Sequence, residues 1–329
     1  MSQISSKPSS IPPSPASKRP FVQRWIPWLY AFWKFSRPHT IVGTTLSVLG
    51  LFCLAVATHH LPGGLGFSLS SLVSVLLALM ACLCGNVYIV GLNQLEDVDI
   101  DRVNKPHLPL ASGEFSRLQA QVIVSLTGVL AIALALSQGP YLLLTVGLSL
   151  FIGTAYSLPP IRLKRFPFWA SCCIFTVRGA VVNLGVFTHF SESIWHSTQI
   201  PAAVWTLTLF ILGFTFAIAL FKDIPDIEGD RRYNISTFTL RLGQRAVFNL
   251  SRWVLTACYS GMIVAGIILP SVNSLWVILP HGLLLSWFWY QSLQVNLDDK
   301  RAIARFYQFI WKLFFLEYLI FPVAWLLSR

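Results

Sequence analysis

Eight of the thirteen acidic residues in this sequence stand in two short clusters: Glu96, Asp97, Asp99 and Asp101, then Asp223, Asp226, Glu228 and Asp230. Asn93, Asp97 and Asp101 are spaced i, i+4, i+8, so on a helix they share one face, drifting by about 40° per step. Asp226 and Asp230 repeat the i, i+4 spacing, with Asp223 one turn before them. Carboxylates stacked in this way repel one another, and near lipid they are costly, so such a set needs a cation. Hard divalent cations take oxygen ligands, and Mg²⁺ characteristically joins one or two carboxylates to phosphate oxygens. The candidate metal ligands are therefore Asn93, Asp97, Asp101, Asp226 and Asp230. For either cluster alone, a solvated helix end paired with nearby Arg and Lys is an equally good account. The two clusters, however, resemble each other: Asp97-Val-Asp-Ile-Asp101-Arg102 aligns with Asp226-Ile-Glu-Gly-Asp230-Arg231, and each precedes a glycine (Gly113, Gly243) that opens the next helix. That pairing predicts an internal duplication whose acidic ends face each other and grip a diphosphate from both sides. Ion carriage, the competing class of function, favours isolated acids in mid-membrane over clusters at one edge.

The basic and polar partners follow from the same chemistry. Tyr156-Ser-Leu-Pro-Pro-Ile-Arg162-Leu-Lys164-Arg165 combines a proline-stiffened turn with alternating cations. In an extended segment Arg162 and Lys164 point the same way and can neutralise a leaving diphosphate, Arg as a fork and Lys as a point charge; Arg165 reads as an ordinary loop charge. Lys222 beside Asp223, and Arg102 beside the first cluster, are further substrate-binding candidates, as is Tyr156. Arg178 lies inside an apolar run and is followed by Asn183. An intramembrane arginine marks a functional site by default, pairing either with an acid or with an anionic acceptor. Lys34, Arg37 and His39 read as an interfacial anchor. No glycine-rich phosphate loop, Ser-His-Asp set or Cys/His metal motif is present.

The elements that must hold these residues are membrane helices. Hydrophobic residues make up 55% of the 329 residues and charged residues 11%, with a mean hydropathy of +0.64, which excludes an ordinary soluble domain. A span needs roughly 20 apolar residues. Nine runs qualify: 40–57, 69–92, 118–136, 141–156, 168–187, 202–221, 253–269, 275–290 and 306–327, with breaks such as Leu61-Pro-Gly-Gly64 and Leu158-Pro-Pro160. Charge placement supports the count. Lys18, Arg19, Arg24, Lys34 and Arg37 precede the first run, and the loops after runs two, four, six and eight are basic. Those after runs one, three, five and seven hold no Lys or Arg, so the N-terminus and both acid clusters are predicted on the cytoplasmic side. Trp25, Trp28 and Trp33 read as part of an aromatic belt. The six cysteines lie in apolar runs without metal-ligand spacing and read as small buried residues. Residues 1–33 form a basic, Ser/Pro-rich tail expected to be disordered, and 34–329 a single nine-helix domain. The expected fold class is thus an all-α, nine-helix membrane bundle with two acidic motifs facing each other on the cytoplasmic side.

Three motifs also resemble those of a known family. Asn93-Gln-Leu-Glu-Asp97-Val-Asp-Ile-Asp101, Tyr156-Ser-Leu-Pro-Pro-Ile-Arg162-Leu-Lys164 and Asp226-Ile-Glu-Gly-Asp230 are similar to the three signatures of the UbiA-type intramembrane aromatic prenyltransferases. The match extends over nearly the whole chain, with Gln94 standing where many members carry Asp. Val103-Asn-Lys-Pro-His-Leu-Pro-Leu-Ala-Ser-Gly-Glu114, Trp33-Lys-Phe-Ser-Arg-Pro-His-Thr40, Val177-Arg-Gly-Ala-Val-Val-Asn-Leu-Gly185 and Phe221-Lys-Asp-Ile-Pro-Asp226 resemble the homogentisate prenyltransferase group. The resemblance implies Mg²⁺ as cofactor, catalytic roles for Asp97, Asp101, Asp226, Asp230, Lys164 and Arg162, and a prenyl diphosphate and an aromatic acid as substrates. Phytyl transfer to homogentisate on the route to tocopherol is the first expectation. Geranylgeranyl or solanesyl transfer, or another acceptor such as chlorophyllide, 4-hydroxybenzoate or dihydroxynaphthoate, are the alternatives, and a cation-coupled transporter is the alternative from a different class. Apart from membrane lipid, no nucleic acid or obligate protein partner is expected. A short tail suits a cyanobacterial thylakoid or plasma membrane better than a plastid.

Overall fold

A computed structural model describes residues 26–58, 69–233, 235–269 and 273–328. The tail residues 1–25, including Lys18, Arg19, Arg24 and Trp25, and the Leu61–Gly64 break lie outside the described residues. Within them the chain is helical: α1 (Pro27–Phe35), α2 (Pro38–Ala57), α3 (Leu69–Glu96), α4 (Val98–Asn104), α5 (Pro109–Ser112), α6 (Arg117–Ser137) and α7 (Pro140–Ser157) come first. A 3-10 turn (Leu163–Arg165), α8 (Pro167–Phe175), a π-helical turn (Thr176–Val181) and α9 (Val182–Trp195) follow. The chain continues with α10 (Ala202–Phe221), α11 (Ile227–Arg232), α12 (Phe238–Leu242), α13 (Gln244–Ile268), α14 (Ser274–Leu293) and α15 (Lys300–Leu326).

Start signals explain several of these boundaries. Proline opens α1, α2, α7 and α8, where its missing N–H costs nothing. Ser116 and Gln119 close a reciprocal capping box on α6. Helix α1 begins within the stretch expected to be a disordered tail up to residue 33. It is ordered because Ala31 and Phe35 are buried against Val87, Leu92 and Phe115.

Eight helical segments among the described residues are long and apolar enough to cross a membrane: α2, α3, α6, α7, the continuous α8–α9, α10, α13 and α15. Helix α14 coincides with the expected eighth run, and carries Pro280 and His281 in its interior; it does not reach the same apolar measure. Burial separates the bundle into centre and periphery. The apolar windows of α2, α10 and α15 are 56%, 67% and 56% buried, and no other exceeds 39%. Outside them, Leu72, Leu76, Val122, Leu126, Val129, Val264 and Ile267 are exposed apolar side chains on α3, α6 and α13. In water such a girdle would promote aggregation; it is the surface a bilayer demands. Between α14 and α15, His281 Nε2 and Glu317 Oε2 lie 3.1 Å apart and wholly buried, while His281 Nδ1 is 2.6 Å from the Val277 carbonyl.

Candidate active site

The acid motifs sit where two long helices end. Helix α3 stops at Glu96, Asp97 leaves helical geometry (φ −114°, ψ 19°), and α4 starts afresh at Val98. The break does not scatter the motif. Asp97 N–H still donates to the Asn93 carbonyl (3.1 Å) and Asp101 N–H to the Asp97 carbonyl (2.7 Å), so all three side chains line one cavity. Likewise α10 ends at Phe221, a turn carries Lys222 to Pro225, and Asp226 leads into α11. The two motifs touch: Gly229 N–H donates to Asn104 Oδ1 (2.9 Å), Lys105 Nζ reaches Asp226 Oδ2 (2.5 Å), and Tyr233 O–H donates to the Asp99 carbonyl (3.1 Å).

The cavity between them has a volume of about 1070 Å³. Asn93, Asp97, Asp101, Lys164, Lys222, Asp223, Asp226 and Asp230 line it, together with Tyr156 and Arg178 from the membrane helices. Arg162 stands behind Asp97 rather than on the wall, with Nη2 3.1 Å from Asp97 Oδ1. It takes a left-handed backbone (φ 39°), and Lys164 lies in a 3-10 turn. The expected extended segment is therefore absent, yet both cations converge on Asp97, Lys164 at 2.7 Å.

Two further expected substrate-binding residues are also off the cavity wall. Arg102 is exposed and pairs with Asp99 at 2.8 Å. Asn183 is fully buried and its amide is consumed by structure. Its Nδ2 donates to the carbonyls of Gly179 (2.7 Å) and Arg178 (3.1 Å), and its Oδ1 accepts from Tyr318 O–H (2.9 Å). Gln94, the departure from the acidic pattern, is also buried away from the cavity, donating to the Phe35 carbonyl (2.7 Å).

Sequence reasoning missed a second set. Arg37, His39, Lys105, Asn86, Tyr307 and Trp311 all line the cavity. Arg37 adopts a left-handed backbone (φ 53°), a strain characteristic of functional positions, and Nη2 contacts Asn93 Oδ1 at 3.4 Å. Lys34, read as an anchor, lines the cavity and bonds Glu114. The signal available was proximity in sequence: Lys105 stands four residues after Asp101 of the first acid motif, and Lys222 directly precedes Asp223 of the second cluster.

Electrostatically, burial works against several carboxylates of the site. Burial, reinforced by the charges of Asp226 and Asp223, raises Asp230 from the ordinary 3.8 to about 7. Burial also raises Asp101, against the pull of Arg37 and Lys105, and Asp223, against that of Lys222. Burial opposes the charge on Lys222, but Asp223, Tyr156 and Asp226 outweigh it and hold the ammonium well above its usual range. Lys164 is lowered because burial outweighs Asp97.

A divalent cation fits this donor set. Among the described residues no three His, Cys, Asp or Glu side chains form a ready-made cage. Mg²⁺ needs none, since it retains waters and uses one or two carboxylates with substrate phosphates. Asp101 Oδ2 is buried without a hydrogen-bond partner, and Asp230, at about 7, is only partly ionised at neutral pH, so a nearby positive charge would complete its ionisation.

The sequence matches the UbiA prenyltransferase family over residues 46–313. It is 54% identical over 301 residues to homogentisate phytyltransferase of Synechocystis sp., an alignment spanning 91% of this chain and 96% of that protein. Homogentisate phytyltransferase 1, chloroplastic, of Arabidopsis thaliana is 40% identical over 299 residues, 89% of this chain and 75% of the relative. Among solved structures, a UbiA homolog from Archaeoglobus fulgidus bound to GPP and Mg²⁺ superposes with a TM-score of 0.60 at 16% identity, covering 89% of this chain and 99% of that one. At that identity the structural likeness speaks for the fold alone.

Proposed function

This chain belongs to the UbiA prenyltransferase family, and from that premise we propose that it transfers a phytyl group from phytyl diphosphate to homogentisate, with loss of carbon dioxide. The observation that carries the chemistry is convergence: both acid motifs, Lys164 and Lys222 line one cavity that continues among membrane helices as far as Arg178 and Trp311. The 54% identity to a homogentisate phytyltransferase over nearly both full lengths supports that acceptor and tail. The basic loops and clustered acids support a cytoplasmic N-terminus and a site opening on the same side.

Asp97, Asp101, Asp226 and Asp230, with Asn93 beside them, would hold Mg²⁺, whose positive charge stabilises the departing diphosphate. Lys164, Lys222 and Lys105 stand around the same mouth and bind the remaining anionic oxygens, and Arg162 holds Asp97 in place. Charge accumulates on the diphosphate as the allylic C–O bond breaks, and cations already in position lower the barrier most at that point. The bond's electron pair leaves with the diphosphate. The apolar helix walls exclude water from the allylic cation, which the electron-rich quinol ring attacks to form the new C–C bond. The ring carbon then releases its proton. The carboxymethyl group loses carbon dioxide and takes up one proton, becoming the methyl of a methyl-phytyl-benzoquinol.

The test is a full-length protein assay in lipid nanodiscs with Mg²⁺, homogentisate and phytyl diphosphate, read by mass spectrometry. Geranylgeranyl and solanesyl diphosphates and 4-hydroxybenzoate serve as parallel substrates. A decarboxylated phytyl quinol lost on chelation is the expected product. Product from 4-hydroxybenzoate alone overturns the acceptor, and preference for solanesyl diphosphate overturns the tail.

A further inference from the structure

Among the described residues, Arg178 is a charge without a counter-charge. It lies eleven residues into the α8–α9 span, about 16 Å along the helix at 1.5 Å per residue, and it lines the cavity. Among the described residues no hydroxyl, carbonyl or carboxylate accepts from its guanidinium, and the groups that act on it electrostatically are Tyr318 and Tyr307, neither of them an acid. Its neighbours are instead aromatic faces: the guanidinium carbon is 5.3 Å from the Trp311 ring centre and 5.6 Å from that of Phe314. His39 packs on the same Trp311 at 4.8 Å.

The local backbone is built to present this side chain. Arg178 rides on the π-helical turn Thr176–Val181, a geometry that recurs at functional sites. Asn183 takes up the carbonyls of Arg178 and Gly179 and is itself pinned by Tyr318. Opposite, Gly43 leaves room for the guanidinium: a Cβ there would stand 3.1 Å from Nη1. An arginine held open at membrane depth on a rigid support is costly unless an anion completes it.

We infer that Arg178 binds the carboxylate of the aromatic acceptor, with Trp311, which lines the cavity beside it, forming an apolar wall for the acceptor ring. The inference rests on the prenyl-transfer reading for the identity of the acceptor. The leaving diphosphate is engaged at the cavity mouth, by Lys164 just before α8 and by Lys222 just after α10. It does not extend the length of helix that separates Lys164 from Arg178. The gap between these cations is where an aromatic ring would stand, with its acid tail toward Arg178 and its reacting carbon toward the diphosphate. Arg178 thereby selects acceptors that carry an acid and orients the ring for attack.

The experiment compares wild type, R178K, R178Q and R178M in nanodiscs. It uses calorimetric binding of homogentisate and of its methyl ester without diphosphate, steady-state KM values for acceptor and phytyl diphosphate, and melting temperatures. A lost charge-assisted pair predicts homogentisate binding weaker by about 10- to 100-fold in R178Q, less in R178K. The ester should bind wild type and R178Q alike, and KM for phytyl diphosphate should stay within about twofold, since Arg178 touches only the acceptor. R178M should melt no lower than wild type, because removing an uncompensated charge removes a cost. A raised KM for phytyl diphosphate with acceptor binding intact overturns the assignment in favour of a diphosphate contact. A lowered melting temperature in R178M with unchanged homogentisate affinity overturns it in favour of a structural role on Trp311. Wild type that fails to bind homogentisate also overturns it. Wild type that binds homogentisate through Arg178 yet forms no product would refute the proposed reaction and leave the carboxylate site standing.

Discussion

Asp230→Asn should push activity and metal-free stability in opposite directions. The Asp230 carboxyl is buried and sits at about 7 instead of 3.8, through burial and the charges of Asp226 and Asp223. Between those two values the folded chain binds more protons than the unfolded one, so this group's contribution to stability falls as pH rises through the window. Above it, forcing the carboxylate to ionise costs on the order of 4 kcal/mol, at ~1.36 kcal/mol per unit over a shift from 3.8 to about 7. Asparagine keeps the shape and removes the charge. Metal-free D230N should therefore melt higher than metal-free wild type at pH 8, with the gap closing toward pH 4. Metal binding carries the opposite sign, because a ligand carboxylate must be deprotonated. With the group at about 7, the ionised fraction is about tenfold lower at pH 6 than at pH 8, so half-saturating Mg²⁺ in wild type should rise about tenfold on that change. The assay is turnover against Mg²⁺ at pH 6, 7 and 8, paired with melting in chelator. A pH-independent Mg²⁺ requirement, or D230N melting below wild type in chelator at pH 8, would refute the reasoning.

Asp97→Ala and Asp226→Ala should each lower turnover by at least about 100-fold, the scale of a lost electrostatic contributor to a transition state, and EDTA should abolish wild-type turnover reversibly. Near-normal rates in both variants would remove the metal assignment. His281→Leu should cost about 3–5 kcal/mol by stranding Glu317 as a buried, unpaired acid. The double variant His281→Leu/Glu317→Leu should recover much of that in a detergent unfolding titration, with turnover per folded molecule unchanged. Arg102→Ala, which breaks only an exposed pair with Asp99, should change stability by less than about 1 kcal/mol and leave both KM values at wild type.

Local spacing carried much of this site and tertiary contact the rest. Asn93, Asp97 and Asp101 were legible because i, i+4 spacing survives the break at Asp97: the backbone bonds from Asp97 to Asn93 and from Asp101 to Asp97 carry one face across it. The break itself was not legible, because no proline or glycine marks it. Lys105 and Arg37 read as loop and interface charges because their partners, Asp226 and Asn93, are 121 and 56 positions away. Asn183 looked like a site residue because it follows Arg178 within a polar pair; only the π-helical turn shows that its amide serves the backbone. Helix α1 starts inside the stretch whose composition reads as tail, because long-range packing of Phe35 against Phe115, at 5.7 Å between ring centres, holds it. Helix α14 illustrates the limit of run-counting: the stretch reads as a span from its leucines, yet with Pro280 and His281 in its interior it falls short of the apolar measure that eight other segments among the described residues reach.

The wide turn at Thr176–Val181 also constrains the length of the chain there, independently of its composition. A turn bonded i→i+5 holds one residue more than its α-helical neighbours, so α8 and α9 are out of phase by one residue, about 100° of rotation. Deleting a single residue, Ala180 for instance, would let the whole segment close into a regular helix. Whichever half kept its neighbours, the other would turn: either α8 would leave α10, or Asn183 would swing away from Tyr318. Substitutions in this segment alter one side chain at a time, whereas a one-residue deletion rotates every side chain on one half of the span. Among homologous chains, insertions and deletions should therefore be rarer between positions 167 and 195 than amino-acid replacements there would suggest.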